Sequence, residues 1–232
     1  MNVTIGQTLA ERVNLVLGSV AEAARAAGRT PDDITVVAVS KTVDRDVVDD
    51  AFALGLRHFG ENRVQDAVAK FHDPLPAGAE LHLIGQLQSN KAKPAAALFD
   101  IIESVDRLSL IDALEKEGER RGLPIIVLLQ VNVAREPQKA GCAPEQATGL
   151  MRRLVESPSL TPCGLMTMAP LVDDPEAARP VFAGLRHLRD DLQRSFPAVD
   201  LGTLSMGMSN DYGVAISEGA TMVRIGRAIF GT

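Results

Sequence analysis

The sequence predicts an α/β fold, a single (β/α)8 TIM barrel with an extra helix before its first strand, forming one domain over residues 1–232. Two observations carry that prediction. Strand-like and helix-like runs alternate along the chain with no Gly/Ser linker or charge block between them, and the strand-like runs are apolar at both parities, as in IIVLLQV from Ile125. A strand apolar on both faces is buried on both, and strands that alternate with helices pair in parallel with the helices outside. Eight units of about 29 residues each agree with the roughly 250 residues usual for such a barrel.

An amphipathic stretch over residues 5–27 predicts the extra helix. The eight strands are expected at residues 34–39, 57–60, 81–84, 101–104, 125–131, 160–168, 201–205 and 222–225. Between them, residues 45–54, 108–121, 144–155 and 176–196 read as helices, the last with Val181, Leu185, Leu188 and Leu192 at helical spacing. A doubly wound open sheet is the alternative, but the first strand-to-helix junction, VSKTVDRD, lacks the glycine-rich dinucleotide fingerprint.

Composition narrows the function. A hydrophobic content of 46% supplies a packed core, which excludes intrinsic disorder as the main state. The charge sum, 24 minus 30, gives −6, so no basic track for nucleic acid is expected. No apolar run is long enough for a membrane span and the N-terminus lacks signal-peptide regions, which predicts a soluble cytoplasmic protein. The two cysteines, Cys142 and Cys163, are too far apart for a CxxC motif and read as free thiols. Cys142 in the polar loop KAGCAPE is expected to be accessible, and Cys163 in the sixth strand buried.

In a barrel the chemistry sits at the C-terminal strand ends. Strand one ends in Lys41, whose amine would enter the mouth partly desolvated and so gain nucleophilicity toward a carbonyl, unless it is a solvated strand-end lysine. The ends HFGENRVQ and HLIGQLQSNK place Glu61, Asn62, His82, Gln86 and Asn90 near the same rim. His82 reads either as a hydrogen-bonded core histidine or as an acid/base, and Asn62 either as a site group or as a helix cap. Gly207 and Gly226 are expected to follow strands seven and eight directly, where barrels of this type bind phosphate on backbone amides. Ser205 or Ser209 would add a hydroxyl there and Arg227 a charge. Arg224 lies within the apolar MVRIG and needs a partner, either Glu103 of strand four or a ligand acceptor at the mouth. Lysine, phosphate site and arginine together describe a pocket for a phosphorylated aldehyde held as a Schiff base, with pyridoxal 5′-phosphate the leading candidate.

The segments VAVSKT, HFGENRVQ, LHLIGQLQSNK, VNVAREPQKAG, GLMTMAP and LSMGMSNDYGVAISEGATMVRIGRAIFG resemble the pyridoxal phosphate homeostasis protein family along nearly the whole chain. That resemblance implies a barrel like the N-terminal domain of alanine racemase, with the cofactor linked to Lys41. It also implies that Ser205, Gly226 and Arg227 hold the phosphate, that Arg224 faces the pyridine nitrogen, and that Asn62 and His82 lie near the ring. The implied role is storage, buffering or delivery of the cofactor to pyridoxal-phosphate-dependent apoenzymes, as a monomer and without robust catalysis. Two departures are Ala134, where the family carries glycine, and the end of the chain at Thr232.

The alternative is an amino-acid racemase of the alanine racemase type. Racemisation needs an acid/base on each face of the substrate carbon, and alanine racemases take the second from a tyrosine on a C-terminal domain. With the chain ending soon after strand eight, no such domain is expected, and Tyr212, the sole tyrosine, is expected to pack or face solvent. An arginine at the ring nitrogen can only donate, which leaves the ring a weaker electron sink. A Schiff-base aldolase of the deoxyribose-phosphate type would carry its lysine on strand six, which here reads LTPCGLMTM.

Overall fold

The computed structural model describes residues 7–231. Eight strands, β1 (Thr35–Val39), β2 (His58–Glu61), β3 (Glu80–Leu83), β4 (Ile101–Val105), β5 (Ile125–Gln130), β6 (Leu160–Met166), β7 (Thr203–Met208) and β8 (Met222–Ile225), form a closed barrel in chain order. Every pairing is parallel, and β1 closes the ring on β8 with Val37 opposite Arg224. The helices are α1 (Leu9–Ala26), α2 (Arg45–Ala53), α3 (Val64–Lys70), α4 (Ala92–Leu98), α5 (Leu108–Arg121), α6 (Ala147–Glu156), α7 (Arg179–Ser195), α8 (Tyr212–Ser217) and α9 (Arg227–Phe230). Fully buried Phe59, Leu81, Leu83, Ile102 and Leu129 fill the layer between sheet and helices.

The extra helix is α1, and residues 5 and 6 of the expected span lie outside the described residues. Thr8 caps it: the Glu11 amide donates to Thr8 Oγ1 at 3.2 Å, and Glu11 Oε2 accepts from the Thr8 amide at 2.7 Å. Arg12 then donates to the Ile229 carbonyl at 2.7 Å, which ties α1 to α9. Helices α3 and α4 fill connections where the (β/α)8 pattern expects a helix but no amphipathic stretch marks its bounds. Each has only seven residues, and α4 buries three alanines, a pattern too short and too weakly apolar to show in sequence.

The largest register difference from expectation is in β7, which begins and ends later than residues 201–205. Side chains take the first amides of the expected strand: Gln193 accepts from Leu201 at 2.9 Å and Asp200 from Gly202 at 2.9 Å. At the other end the strand continues through Gly207, which has φ +95°, with a register shift between Ser205 and Met208. Gly207 therefore lies inside β7 rather than after it. A Cβ there would stand 2.6 Å from the Ala215 Cβ, so the glycine is required for α8 to pack on the strand.

Cys142 departs from its expected environment, and Cys163 is less fully buried than expected. The loop after β5 folds back along that strand: Val131 and Cys142 form a bridge, and the Cys142 amide donates to the Gln130 carbonyl at 2.9 Å. Cys142 is thus buried, and burial pushes its thiol up to about 12. Cys163 is half-buried at the N-terminal end of the barrel, with its thiol raised by burial to about 11. Both are free thiols, as expected.

Candidate binding site at the barrel mouth

The barrel interior holds a connected chain of buried polar groups. Ser205 of β7 donates to Glu103 Oε2 of β4 at 2.5 Å, a bond between non-adjacent strands that must cross the interior. Arg224 of β8 donates to Ser205 Oγ at 2.6 Å and to the Thr167 carbonyl at 2.8 Å. On the far side, His82 Nδ1 lies 2.8 Å from Glu103 Oε1. His82, Glu103 and Ser205 are fully buried and Arg224 nearly so. Burial would raise the Glu103 carboxyl, but the His82 contact, the Arg224 charge and the Ser205 hydroxyl together hold it below the ordinary carboxylate range. Burial pulls the Arg224 guanidinium below its ordinary value, opposed by Glu103 and Asp211. The buried arginine thus has its expected partner: Glu103 Oε2 lies 3.9 Å from Nη1, with Ser205 between them.

Above this chain a cavity of about 380 Å³ opens at the C-terminal strand ends, lined by Lys41, Ser209, Asn210, Arg224, Gly226 and Arg227 among others. Strand parity puts Lys41 there. Val37 shares the inward face with its partner Arg224, and Lys41 is four residues further on the same parity. It stands above the last interior layer and is exposed, not partly desolvated as the sequence suggested. On the opposite wall, the Met208 amide donates to Asp211 Oδ1 at 2.6 Å while the Asp211 amide donates to the Met208 carbonyl at 3.1 Å, and this turn presents Ser209 and Asn210 to the cavity. Gly226 packs on β1, where a Cβ would meet the Val39 Cβ at 3.2 Å, and it caps α9. Arg227 is exposed on the rim, and no ion pair among the described residues holds it or Lys41.

Four of the seven expected site residues, Lys41, Arg224, Gly226 and Arg227, therefore share one cavity. Three do not. Ser205 lies beneath Arg224 with its hydroxyl engaged by Glu103 and Arg224, and the serine that lines the cavity is Ser209. His82 is sealed beside Glu103, toward the other end of the barrel. Asn62 is half-buried after β2 and neither lines the cavity nor caps α3, whose cap residue is Arg63. Glu61 faces the helix layer, accepting from Ser40 Oγ at 2.8 Å and from Lys70 Nζ at 2.8 Å. Asp211 was missed by sequence reasoning. It lines the cavity, and its carboxyl is raised by burial against the opposing Met208 amide and Arg224 charge. Its signal was the turn spacing SND before a helix.

A larger depression of about 610 Å³ lies at the N-terminal end of the barrel, between Asp33, Thr161, Asp200 and Thr221. Its lining includes no lysine or arginine, so a phosphate would find no counter-charge there. The mouth has three cations against Asp211 and suits a phosphorylated aldehyde: an amine at Lys41, a charge and amides at Arg227 and Gly226, and a fixed donor at Arg224.

Residues 19–232 match the family model for the N-terminal domain of alanine racemase. A pyridoxal phosphate homeostasis protein of Pseudomonas aeruginosa is 43% identical over 224 residues, covering 97% of this chain and 95% of its own. One from Aquifex aeolicus is 41% identical over 221 residues, covering 95% and 96%. The chain belongs to the pyridoxal phosphate homeostasis protein family. Among solved structures, PipY of Synechococcus elongatus, 36% identical, superposes with a TM-score of 0.86 without pyridoxal phosphate and 0.85 with it bound, over 97% of this chain and all of that one. Alanine racemase of Clostridium difficile shares the barrel at 10% identity and a TM-score of 0.73, over 95% of this chain and 56% of its own. That likeness is one of fold.

Proposed function

We propose that this protein holds pyridoxal 5′-phosphate in the mouth of its barrel and stores, buffers or hands over the cofactor without turning over an amino acid. The observation that carries the reading is the convergence of Lys41, Arg224 and Arg227 on one cavity, with Ser209, Asn210 and Gly226 on its wall. Lys41 supplies the amine that takes the aldehyde. Arg227, the Ser209 hydroxyl and the amides at the start of α9 take the phosphate, since the first amides of a helix have no intrahelical acceptor. Arg224, locked by Ser205 and Thr167, donates toward the ring nitrogen and cannot accept a proton from it. Bound in this family of folds, the cofactor supplies an electron sink. This chain's own residues keep that sink weak and give it few proton carriers.

Among the described residues, none presents a free acid/base to the cavity opposite Lys41 as racemisation requires. Tyr212 is buried, with Ser19 of α1 near its hydroxyl, and His82 lies below the cavity. Asp211 is on the wall but its carboxylate closes the turn that carries Ser209. We further propose that residues 1–232 act as one domain, as a cytoplasmic monomer that delivers the cofactor to pyridoxal-phosphate-dependent apoenzymes. Among the described residues no helix is long and apolar enough to cross a membrane.

The test is a spectrum followed by mapping. The purified protein should show the visible absorbance of a lysine-bound cofactor, lose it on borohydride reduction, and carry the pyridoxyl group on Lys41. Labelling of Lys91, Lys93 or Lys139 instead would overturn the assignment.

A further inference from the structure

Toward the end of the barrel opposite Lys41 lies a cluster that does not line the mouth cavity. His58 and Glu80 open β2 and β3 and are register partners, so their side chains leave the sheet together, and His82 follows Glu80 on the same face. His58 Nδ1 lies 3.1 Å from His82 Nε2 and 3.3 Å from Glu80 Oε2, and the three donor atoms all fall within 4.8 Å of one another. The ring of His82 is fixed from behind. Its Nδ1 faces Glu103, a carboxylate that can only accept, so Nδ1 donates there and, in the neutral ring, Nε2 is the acceptor that faces His58. An imidazole oriented by a carboxylate on one nitrogen, with the other turned toward a second imidazole, is the arrangement by which metal-ligating histidines are held.

We propose that His58, His82 and Glu80 form a divalent transition-metal site, with zinc the best fit. A Zn–N distance of about 2.0–2.1 Å with tetrahedral angles sets neighbouring ligand atoms about 3.3–3.4 Å apart; two of the three separations here are 3.1 and 3.3 Å, and the third, between His82 and Glu80, lies within 4.8 Å and would close on the ion by rotation of the half-exposed Glu80 side chain. Two imidazoles and one carboxylate also match the ligand set of three-residue zinc sites, and they disfavour calcium and magnesium, which select oxygen. Exposure grades outward, from 0% for the His82 side chain through 29% for His58 to 48% for Glu80, which gives an ion an entry path and leaves a fourth position for water. The competing arrangement puts a proton where the ion would sit, with His58 Nδ1–H donating to His82 Nε2 and Glu80.

Titration of the full-length protein with Zn²⁺ by calorimetry, and with Co²⁺ by its visible d–d absorbance, separates the two. One ion per chain with micromolar or tighter affinity is expected, with the strong absorbance of tetrahedral Co²⁺. His58→Ala and Glu80→Gln alter partly exposed side chains and leave the buried His82 in place. Each should weaken binding at least as much as loss of an outer-shell partner does, about ten- to a hundredfold. His72→Ala, which removes an exposed histidine beside Asp73, should change nothing. Absence of stoichiometric binding, or binding that His58→Ala and Glu80→Gln leave intact, would overturn the site. This proposal does not rest on the cofactor reading, because the Lys41 labelling is scored at the other end of the barrel.

Discussion

Removing one hydroxyl from each of two serines should separate the interior of this barrel from its mouth. Ser205 is fully buried and stands between two charges, donating to Glu103 at 2.5 Å and accepting from Arg224 at 2.6 Å. A hydrogen bond to a charged group contributes about 1.5–3 kcal/mol, and Ser205→Ala removes two. Part is recovered, since Arg224 Nη1 is already 3.9 Å from Glu103 Oε2 and needs a small shift to pair directly. A net loss of about 2–3 kcal/mol follows, which for a chain of this size lowers Tm by roughly 4–12 °C. Ser209 is half-buried on the cavity wall, so Ser209→Ala should leave stability within about 0.5 kcal/mol. It should instead weaken pyridoxal phosphate about tenfold while sparing pyridoxal, which lacks the phosphate. Thermal unfolding of the cofactor-free protein by circular dichroism, and titration of both variants with the two ligands, give the four numbers needed. An unchanged Tm for Ser205→Ala, or a selective loss of pyridoxal phosphate in Ser205→Ala equal to that in Ser209→Ala, would refute the placement of these hydroxyls.

Thiol modification of the native protein should reach Cys163 before Cys142, and both slowly near neutral pH, because burial raises them to about 11 and about 12 and the thiolate is the reactive form; faster labelling of Cys142 would contradict the strand-like return of its loop. Gly207→Ala should destabilise by more than about 2 kcal/mol, since φ is +95° and the new Cβ would lie 2.6 Å from that of Ala215; a chemical denaturation midpoint equal to wild type would refute the packing argument. With alanine or serine in deuterated water, the loaded protein should give no α-hydrogen exchange above free cofactor. Exchange that Asp211→Asn abolishes while the visible spectrum persists would make Asp211 the second acid/base and the protein a racemase, because a competent base is worth about 10² to 10⁴ in rate.

The sequence by itself determined the barrel. Alternation of apolar runs with amphipathic ones, and runs such as IIVLLQV apolar at both parities, admit few arrangements other than parallel strands inside a shell of helices. It also determined which strand ends carry cations, so Lys41, Arg224 and Arg227 were legible as a group. Tertiary structure decided which polar residues face the mouth and which are consumed inside. Ser205 and Ser209 occupy the same motif four residues apart, and only the bulge at Gly207 and the Met208–Asp211 turn make one interior and the other exposed to the cavity. His82, placed at the rim by its position in HLIG, is drawn to the interior by Glu103, a partner 21 residues away. Cys142 looked accessible in its loop, yet its backbone pairs along β5 and buries it. The common physical reason is that side-chain direction in a strand alternates with every residue. A shift or bulge of one position, set by contacts distant in sequence, therefore moves a group between the helix layer, the barrel interior and the open mouth.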